Sequence, residues 1–202
     1  MHISEGVLSG PVLISGGALA AAGTAIGLKK LDYDRIAQAG MLSAAFFVAS
    51  LIHVPVGPAN AHLILNGLVG LLLGWAAFPA ILVALVLQAI LFQFGGITAL
   101  GVNTMIMALP AVLCYIVCSP FLHKKSALAL PSAFACGFLS VLLSALVLGL
   151  ALVFTEENFL EVSAIVIVAH IPVMIIEGIV TALCVAFLKK VQPTMLPGFP
   201  KQ

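Results

Sequence analysis

The residues with the greatest capacity for chemistry in this chain are five histidines and one buried-looking carboxylate. The histidines are His2, His53, His62, His123 and His170, and Glu177 follows His170 by seven residues. A spacing of seven places both side chains on one face of a helix. Several imidazoles together predict a metal site, and histidine with glutamate inside a membrane could alternatively serve hydrolysis.

The first two residues have the sharpest local chemistry. In Met1-His2, the α-amine, the His2 amide nitrogen and the His2 Nδ1 can bind one ion, closing a five-membered and a six-membered chelate ring. Three nitrogens then lie nearly in a plane, with one corner left for another imidazole, and such coordination suits Ni(II) and Cu(II). The first six residues lack the basic segment that a signal peptide needs, which predicts that Met1 is the mature terminus. The alternative is a site built by the side chains of His53, His62 and His170 alone.

Composition indicates that lipid is the solvent. Of 202 residues, 63% are hydrophobic and only 7% are charged, and the mean hydropathy is +1.28. Soluble domains average about 25% charged residues. The net charge of +1 argues against nucleic acid as a partner. The cysteines stand in apolar runs, where they are interpreted as small packing residues, with a thiol metal pair at Cys114 and Cys118 as the alternative.

Hydropathy predicts an all-α integral membrane protein of about seven transmembrane helices in a single domain, residues 1–202. The spans are Val7–Leu28, Ile36–Ile52, His62–Phe78, Ala80–Phe94, Ile97–Cys118, Leu128–Phe154 and Val162–Leu188. A single helix from His62 to Phe94 is the alternative to the third and fourth spans. With seven spans all eight Lys and Arg residues fall on one side, and the positive-inside rule then places the N-terminus outside and the C-terminus in the cytoplasm.

This topology sorts the polar residues. His2, His53 and His62 fall at the outer face, where His53 is interpreted as an interfacial side chain, and His123 lies with lysines on the cytoplasmic side. Glu177 either bonds to a neighbour or orients a ligand such as His170. The stretch 53–62 reads as a Pro- and Gly-rich loop that ends in His62 at a helix start. Several amide and hydroxyl side chains in the spans line a cavity or form interhelical hydrogen bonds: Asn66, Gln88, Gln93, Asn103 and Thr104.

Small residues crowd the first span. Ala18 and Ala22, and likewise Ala21 and Ala25, are spaced by four and share helix faces. Such faces let helices approach closely, which indicates either packing within this chain or docking of a partner subunit.

Several blocks of the sequence resemble the CbiM/NikM family. The opening Met1-His2-Ile3-Ser4-Glu5-Gly6-Val7-Leu8-Ser9 is similar to the family's start. Further similar blocks, in family order, are 62–70 (HLILNGLVG), 95–103 (GGITALGVN), 170–172 (HIP) and 176–178 (IEG). This chain reads Asn103-Thr104-Met105 where the family often has Asn-Met, which leaves the role of the fifth span's polar residues open.

The resemblance implies the substrate-binding S component of an energy-coupling factor transporter for cobalt or nickel. It implies a planar site formed by the Met1 amine, the His2 amide and imidazole, and His62. The implied partners are a coupling T subunit, ATP-binding cassette ATPases and a small accessory membrane subunit. No phosphate-binding loop, His-Glu-x-x-His or Gly-x-Ser-x-Gly occurs, which agrees with a transport subunit without catalytic cofactors. An autonomous metal carrier or channel, and then an intramembrane enzyme, are the alternatives.

Overall fold

The computed structural model describes residues 2–56, 59–122, 128–156 and 160–197. Within them the chain forms eight α-helices and one short antiparallel β-hairpin. The helices are α1 (Gly10–Lys30), α2 (Ile36–Ala49), α3 (Asn66–Leu73), α4 (Ala77–Phe92), α5 (Leu100–Leu122), α6 (Ala129–Val153), α7 (Leu160–Ala169) and α8 (Ile171–Val191), and the strands are β1 (His53–Val56) and β2 (Ala59–His62).

Five helical stretches of the described residues are long and apolar enough to cross a membrane. They are Gly10–Lys30, Asn66–Phe92, Leu100–Leu122, Ala129–Val153 and Ile171–Val191. The chain is therefore a mostly helical, multi-pass membrane protein. The count of seven crossings stays a prediction.

The stretch Asn66–Phe92 is not one straight rod. A continuous helix would separate Asn66 from Gln88 by about 33 Å. Instead, the Gln88 side chain and the ring of His62, four residues before Asn66, both contact His2. The chain reverses at Gly74, whose φ of +57° and ψ of −127° favour glycine. The structure therefore places the reversal at Gly74 rather than at Pro79, and the division of this region into two membrane spans stays a prediction.

The region before α3 differs from its predicted form. Residues 53–56 and 59–62 pair as antiparallel strands, with His53 opposite His62, so the fold is not purely helical and His62 does not begin a helix. Alternating Val54 and Val56 suit an extended chain. The hairpin places His62 at the end of β2, with three residues between it and α3.

The last predicted span, Val162–Leu188, is divided at His170 into α7 and α8. Pro172 has no N–H to donate to the preceding turn, which accounts for the interruption. Other boundaries shift by a few residues: α1 begins at Gly10, α2 ends at Ala49, and α5 runs from Leu100 to Leu122.

The central element of the bundle is α3, all eight residues of which are buried. It packs mainly against α5 and α6, and α6 in turn packs against α8. A helix that is apolar all round belongs in such a position.

The small residues of α1 have two different environments. Gly23 and Gly27 face inward, and a Cβ at these positions would meet the Phe78 ring and Pro79 respectively. The alanines of the two predicted docking faces are all exposed: Ala18, Ala21, Ala22 and Ala25. Close packing of α1 therefore uses its glycines, and the alanine faces stay open to lipid or to another protein.

Basic residues and histidines occupy opposite ends of the described bundle. Arg35 donates to the Leu72 carbonyl at 2.5 Å, and the Lys30 ammonium lies 4.9 Å from the Trp75 ring centre, both beside the Gly74 reversal. Lys189 and Lys190 end α8, whose other end adjoins His170. The assignment of the basic end to the cytoplasm stays a prediction.

Candidate metal site

The N-terminal segment, residues 2–8, is held inside the histidine end of the bundle by an amide side chain of α5. Asn103 Oδ1 accepts from the Ile3 backbone N–H at 2.9 Å, and Asn103 Nδ2 donates to the Ile3 carbonyl at 3.0 Å. The Asn103 side chain thus makes the same two hydrogen bonds with the Ile3 backbone that a neighbouring β-strand would make. Ile3 and Leu8 are buried, so apolar contacts add to this anchor. His2 is thereby fixed one residue before a doubly bonded position.

The His2 imidazole lies between α4 and the hairpin. Its Nε2 is 2.8 Å from Gln88 Oε1, an acceptor, so Nε2 carries the proton and Nδ1 carries the lone pair. The Phe94 ring centre is 5.8 Å away. Burial lowers the pKa of His2 to about 3, because the imidazolium loses its hydration there. The side chain is therefore neutral at physiological pH and presents Nδ1, the nitrogen that a terminal chelate requires.

The His62 imidazole faces His2. The two ring centres are 5.1 Å apart, and the ring planes are inclined by 32°. His62 Nδ1 donates to the Leu63 carbonyl at 2.9 Å, which places the lone pair on Nε2. Imidazoles bound at about 2 Å on adjacent corners of a square have ring centres about 4.5 Å apart. The observed separation is close to that value, so the two rings suit coordination of one ion.

A carboxylate from α8 holds the turn that follows His62. Glu177 Oε1 accepts from the backbone N–H groups of Ile64 at 2.5 Å and Leu65 at 2.9 Å. Leu65 has a φ of +58°, and no side chain of its own caps α3. The fully buried Glu177 therefore supplies the acceptor for N–H groups at the start of α3, where a negative charge is favourable.

We expect Glu177→Ala to weaken Ni²⁺ binding about 10- to 100-fold, the usual effect of removing a group that orients a metal ligand. Two buried N–H groups would lose their acceptor, and the turn that carries His62 would shift. Glu177→Gln retains an acceptor oxygen and should lose less. Calorimetric titration with Ni²⁺ measures the effect.

Glu161→Ala is the matched control, because this glutamate is exposed at the start of α7. Gel filtration in detergent would show that each variant stays folded. Equal affinities for the wild type and a folded Glu177→Ala variant would contradict the positioning role.

The loop between α4 and α5 covers the site. Gly95 has a φ of +79°, and a Cβ there would lie 2.6 Å from Asn103 Nδ2 and 3.5 Å from the His2 Cβ. Glu5 Oε1 accepts from the Thr98 N–H at 3.0 Å, and this hydrogen bond lowers the Glu5 pKa. Gln93 is exposed and lines an open depression of about 430 Å³ with Ser4 and Glu5. Gln93 therefore lies at the exposed edge of the candidate metal site.

The other predicted site residues have different positions. Asn66 is buried, and its amide donates to the Met107 carbonyl at 3.1 Å and to Ser144 Oγ at 2.9 Å, which ties α3 to α5 and α6. His53 pairs with His62 through the backbone. His170 lines a cavity with His2. Met1 and His123 lie outside the described residues.

The buried cysteines Cys114, Cys118 and Cys136 belong to an apolar cluster around α3. The described residues contain no group of three or more His, Cys, Asp or Glu side chains suited to a metal.

Gln88 is the site residue whose role sequence reasoning did not predict. It belongs to the polar residues of the spans, but nothing in its neighbourhood in the sequence marks it as the partner of His2, 86 positions away. A polar residue near the end of an apolar helix was the available signal.

The fold is that of a helical membrane protein with two converging imidazoles at one end, and comparisons with known proteins agree with this class. Residues 2–195 match the family model described as CbiM, cobalt uptake substrate-specific transmembrane region. A putative metal transport protein of Haemophilus influenzae is 42% identical over 97% of both chains. The fused nickel transport protein NikMN of Rhodobacter capsulatus is 42% identical over 54% of this chain and 33% of its own.

A solved structure of a transition metal transporter superposes with a TM-score of 0.81 at 30% identity, covering 95% of this chain and 93% of the other. The chain belongs to the CbiM family of cobalt uptake transmembrane regions. It is thus a membrane component of a metal transport system.

Proposed function

We propose that this chain is the substrate-binding subunit of an energy-coupling factor transporter, which captures Ni²⁺ or Co²⁺ at the outer face of a prokaryotic inner membrane. Release into the cell is driven by partner ATPases through a coupling membrane subunit. A small accessory membrane subunit is a further expected partner. The metal is cargo, and the proposed subunit carries out no chemical conversion.

The convergence of His2 and His62 is the observation that supports this function best. Each ring donates one N–H to a fixed oxygen, on Gln88 and on the Leu63 carbonyl, which leaves the ring lone pair on the other nitrogen. Metal-binding histidines usually have such a second partner, which sets the tautomer and the ring orientation.

The proposed ligands are four nitrogens: the Met1 α-amine, the His2 amide nitrogen, His2 Nδ1 and a His62 ring nitrogen. The corner opposite the amide lies beside His2 Nδ1, so His62 and His2 occupy adjacent corners. All-nitrogen planar coordination suits Ni(II) and is compatible with Co(II). The hydrogen bonds between Asn103 and Ile3 support this ligand set, because they fix the backbone directly after His2.

The exposed alanines of α1 are the proposed docking surface for a partner. We expect Ala18→Leu combined with Ala22→Leu to leave Ni²⁺ affinity within about twofold, because both side chains are exposed and α1 packs through its other face. The same variant should lose co-purification with the coupling subunit and ATP-dependent ⁶³Ni²⁺ uptake in proteoliposomes.

Ala164→Leu, at an exposed position of α7, is the volume-matched control and should preserve uptake. Vesicles that contain the wild-type chain alone should bind the metal but not transport it. Rapid uptake by the chain alone would favour an autonomous carrier. Joint loss of metal affinity and assembly would show that the alanines serve the internal fold.

Proton release should identify which groups titrate. Because the pKa of His2 is lowered to about 3, its imidazole is already neutral between pH 5 and 8 and releases no proton on binding. The α-amine, with an ordinary pKa near 8, and the His2 amide are protonated at pH 7, so about two protons should leave per ion. Affinity should then fall about 100-fold from pH 7 to pH 6. Calorimetry in two buffers of different ionisation enthalpy measures the protons, and a value near zero would refute the terminal chelate.

A further inference from the structure

A second cavity adjoins the candidate metal site, because His2 forms part of its lining. It has a volume of about 320 Å³ and lies between the N-terminal segment, the end of α6, and α7. Its walls include the apolar side chains of Val7, Leu148, Leu152 and Val166. Two imidazoles also belong to the wall, those of His2 and His170. The cavity is open at one side, and His2, a proposed ligand of the chelate, forms part of its wall.

His170 has a hydrogen-bond partner of the kind that metal-binding histidines usually have on their second ring nitrogen. Its Nδ1 donates to the Val166 carbonyl at 2.7 Å, so the lone pair lies on Nε2. His2 and His62 have the same arrangement, with one ring nitrogen donating to a fixed oxygen. The interruption between α7 and α8 places His170 at this level, because Pro172 ends the regular helix there.

We propose that this cavity is an access route for the metal and that His170 Nε2 is a transient ligand on the way to the chelate. This inference rests on the proposed function. An aquated divalent ion that enters an apolar cavity must exchange waters for other ligands, because the walls of valine and leucine offer none. Imidazole is a suitable intermediate ligand for Ni²⁺ and Co²⁺, and His170 shares the cavity with His2, the next ligand.

A transient ligand has a distinctive kinetic effect. Since His170 binds the ion only between solution and the final site, its loss raises the barrier equally in both directions. The association and dissociation rate constants should fall by the same factor, and their ratio, the Kd, should stay constant. A ligand of the final site would instead weaken the Kd, mainly through faster dissociation.

The test is stopped-flow measurement of Ni²⁺ association and chelator-induced dissociation, on protein with an unmodified N-terminus. His170→Asn is the main variant, because its side-chain amide can still donate to the Val166 carbonyl while the ligand nitrogen is lost. We expect both rate constants to fall about tenfold, equivalent to about 1.4 kcal/mol in each barrier, with Kd within twofold of the wild type. Val7→Trp, which enlarges an exposed side chain of the cavity wall, should slow both rates while His170 is intact.

Unchanged rates in a folded His170→Asn variant would overturn the proposal, as would a weakened Kd with unchanged association. Unchanged rates in Val7→Trp would exclude this cavity as the route. Failure of the proposed function itself has a separate signature, since the wild-type protein would then show no Ni²⁺ binding at all.

Discussion

An Ala-Ala extension before Met1 should reduce Ni²⁺ and Co²⁺ affinity by roughly a hundredfold to a thousandfold, although His2 and His62 remain. The extension turns the Met1 amine into an amide, and even one added residue moves the new amine about 3.5 Å along the chain, beyond a metal–nitrogen bond of about 2 Å. The free energy of metal binding at a four-ligand site is about 10–16 kcal/mol. One donor of the four accounts for roughly a quarter of it, which corresponds to several hundredfold in affinity. Calorimetric titration of both proteins measures the loss.

Two added residues are preferable to one. A single added residue would create a sequence with its histidine third, whose amine, two amides and imidazole can chelate an ion without His62. The same Ala-Ala pair at the C-terminus is the matched control and should leave affinity unchanged. Retained affinity in the N-terminally extended protein would mean that side chains alone form the site, and the terminal chelate would have to be abandoned.

His62→Ala should abolish measurable binding of Ni²⁺ at micromolar protein. The variant removes the ring that lies 5.1 Å from His2, and with it the fourth nitrogen of the plane. Water can take the vacant corner, but it lacks the fixed position of the imidazole at the end of β2. X-ray absorption at the nickel edge would report the loss of one imidazole from any residual complex.

His123→Ala is the control variant, because the predicted topology places His123 on the cytoplasmic side, remote from the site. It should bind Ni²⁺ as the wild type does. Equal affinity of the His62 and His123 variants would remove His62 from the ligand set.

The sequence predicted the membrane environment and the main helices well, because hydropathy is a local property. A run of about 20 apolar residues is stable across lipid whatever its neighbours are. The same locality explains the errors. The hairpin at 53–62 depends on pairing between two short segments, and the division of 162–188 depends on one proline within an otherwise continuous apolar run.

The roles of the polar residues were harder to predict from the sequence. From the sequence, Glu177 could either bond to a neighbour or orient His170, and nothing local indicated that its Oε1 accepts from the N–H groups of Ile64 and Leu65, 113 and 112 positions away. On α1 the alanines were visible as small residues with helical spacing, whereas the structure uses Gly23 and Gly27 for close packing. Spacing identifies faces of a helix but not what lies opposite them.

The sequence by itself determined the chemistry of single residues: an apolar chain, a Met-His terminus able to chelate, and polar groups too costly to leave in lipid without a partner. The tertiary structure decided which of them meet. It folds residues 66–92 back on themselves so that Gln88 and His62 reach His2, and it sets the histidine tautomers through oxygens of Gln88, Leu63 and Val166. These arrangements join segments up to about a hundred residues apart. They follow from how helices pack against each other, which no window of sequence contains.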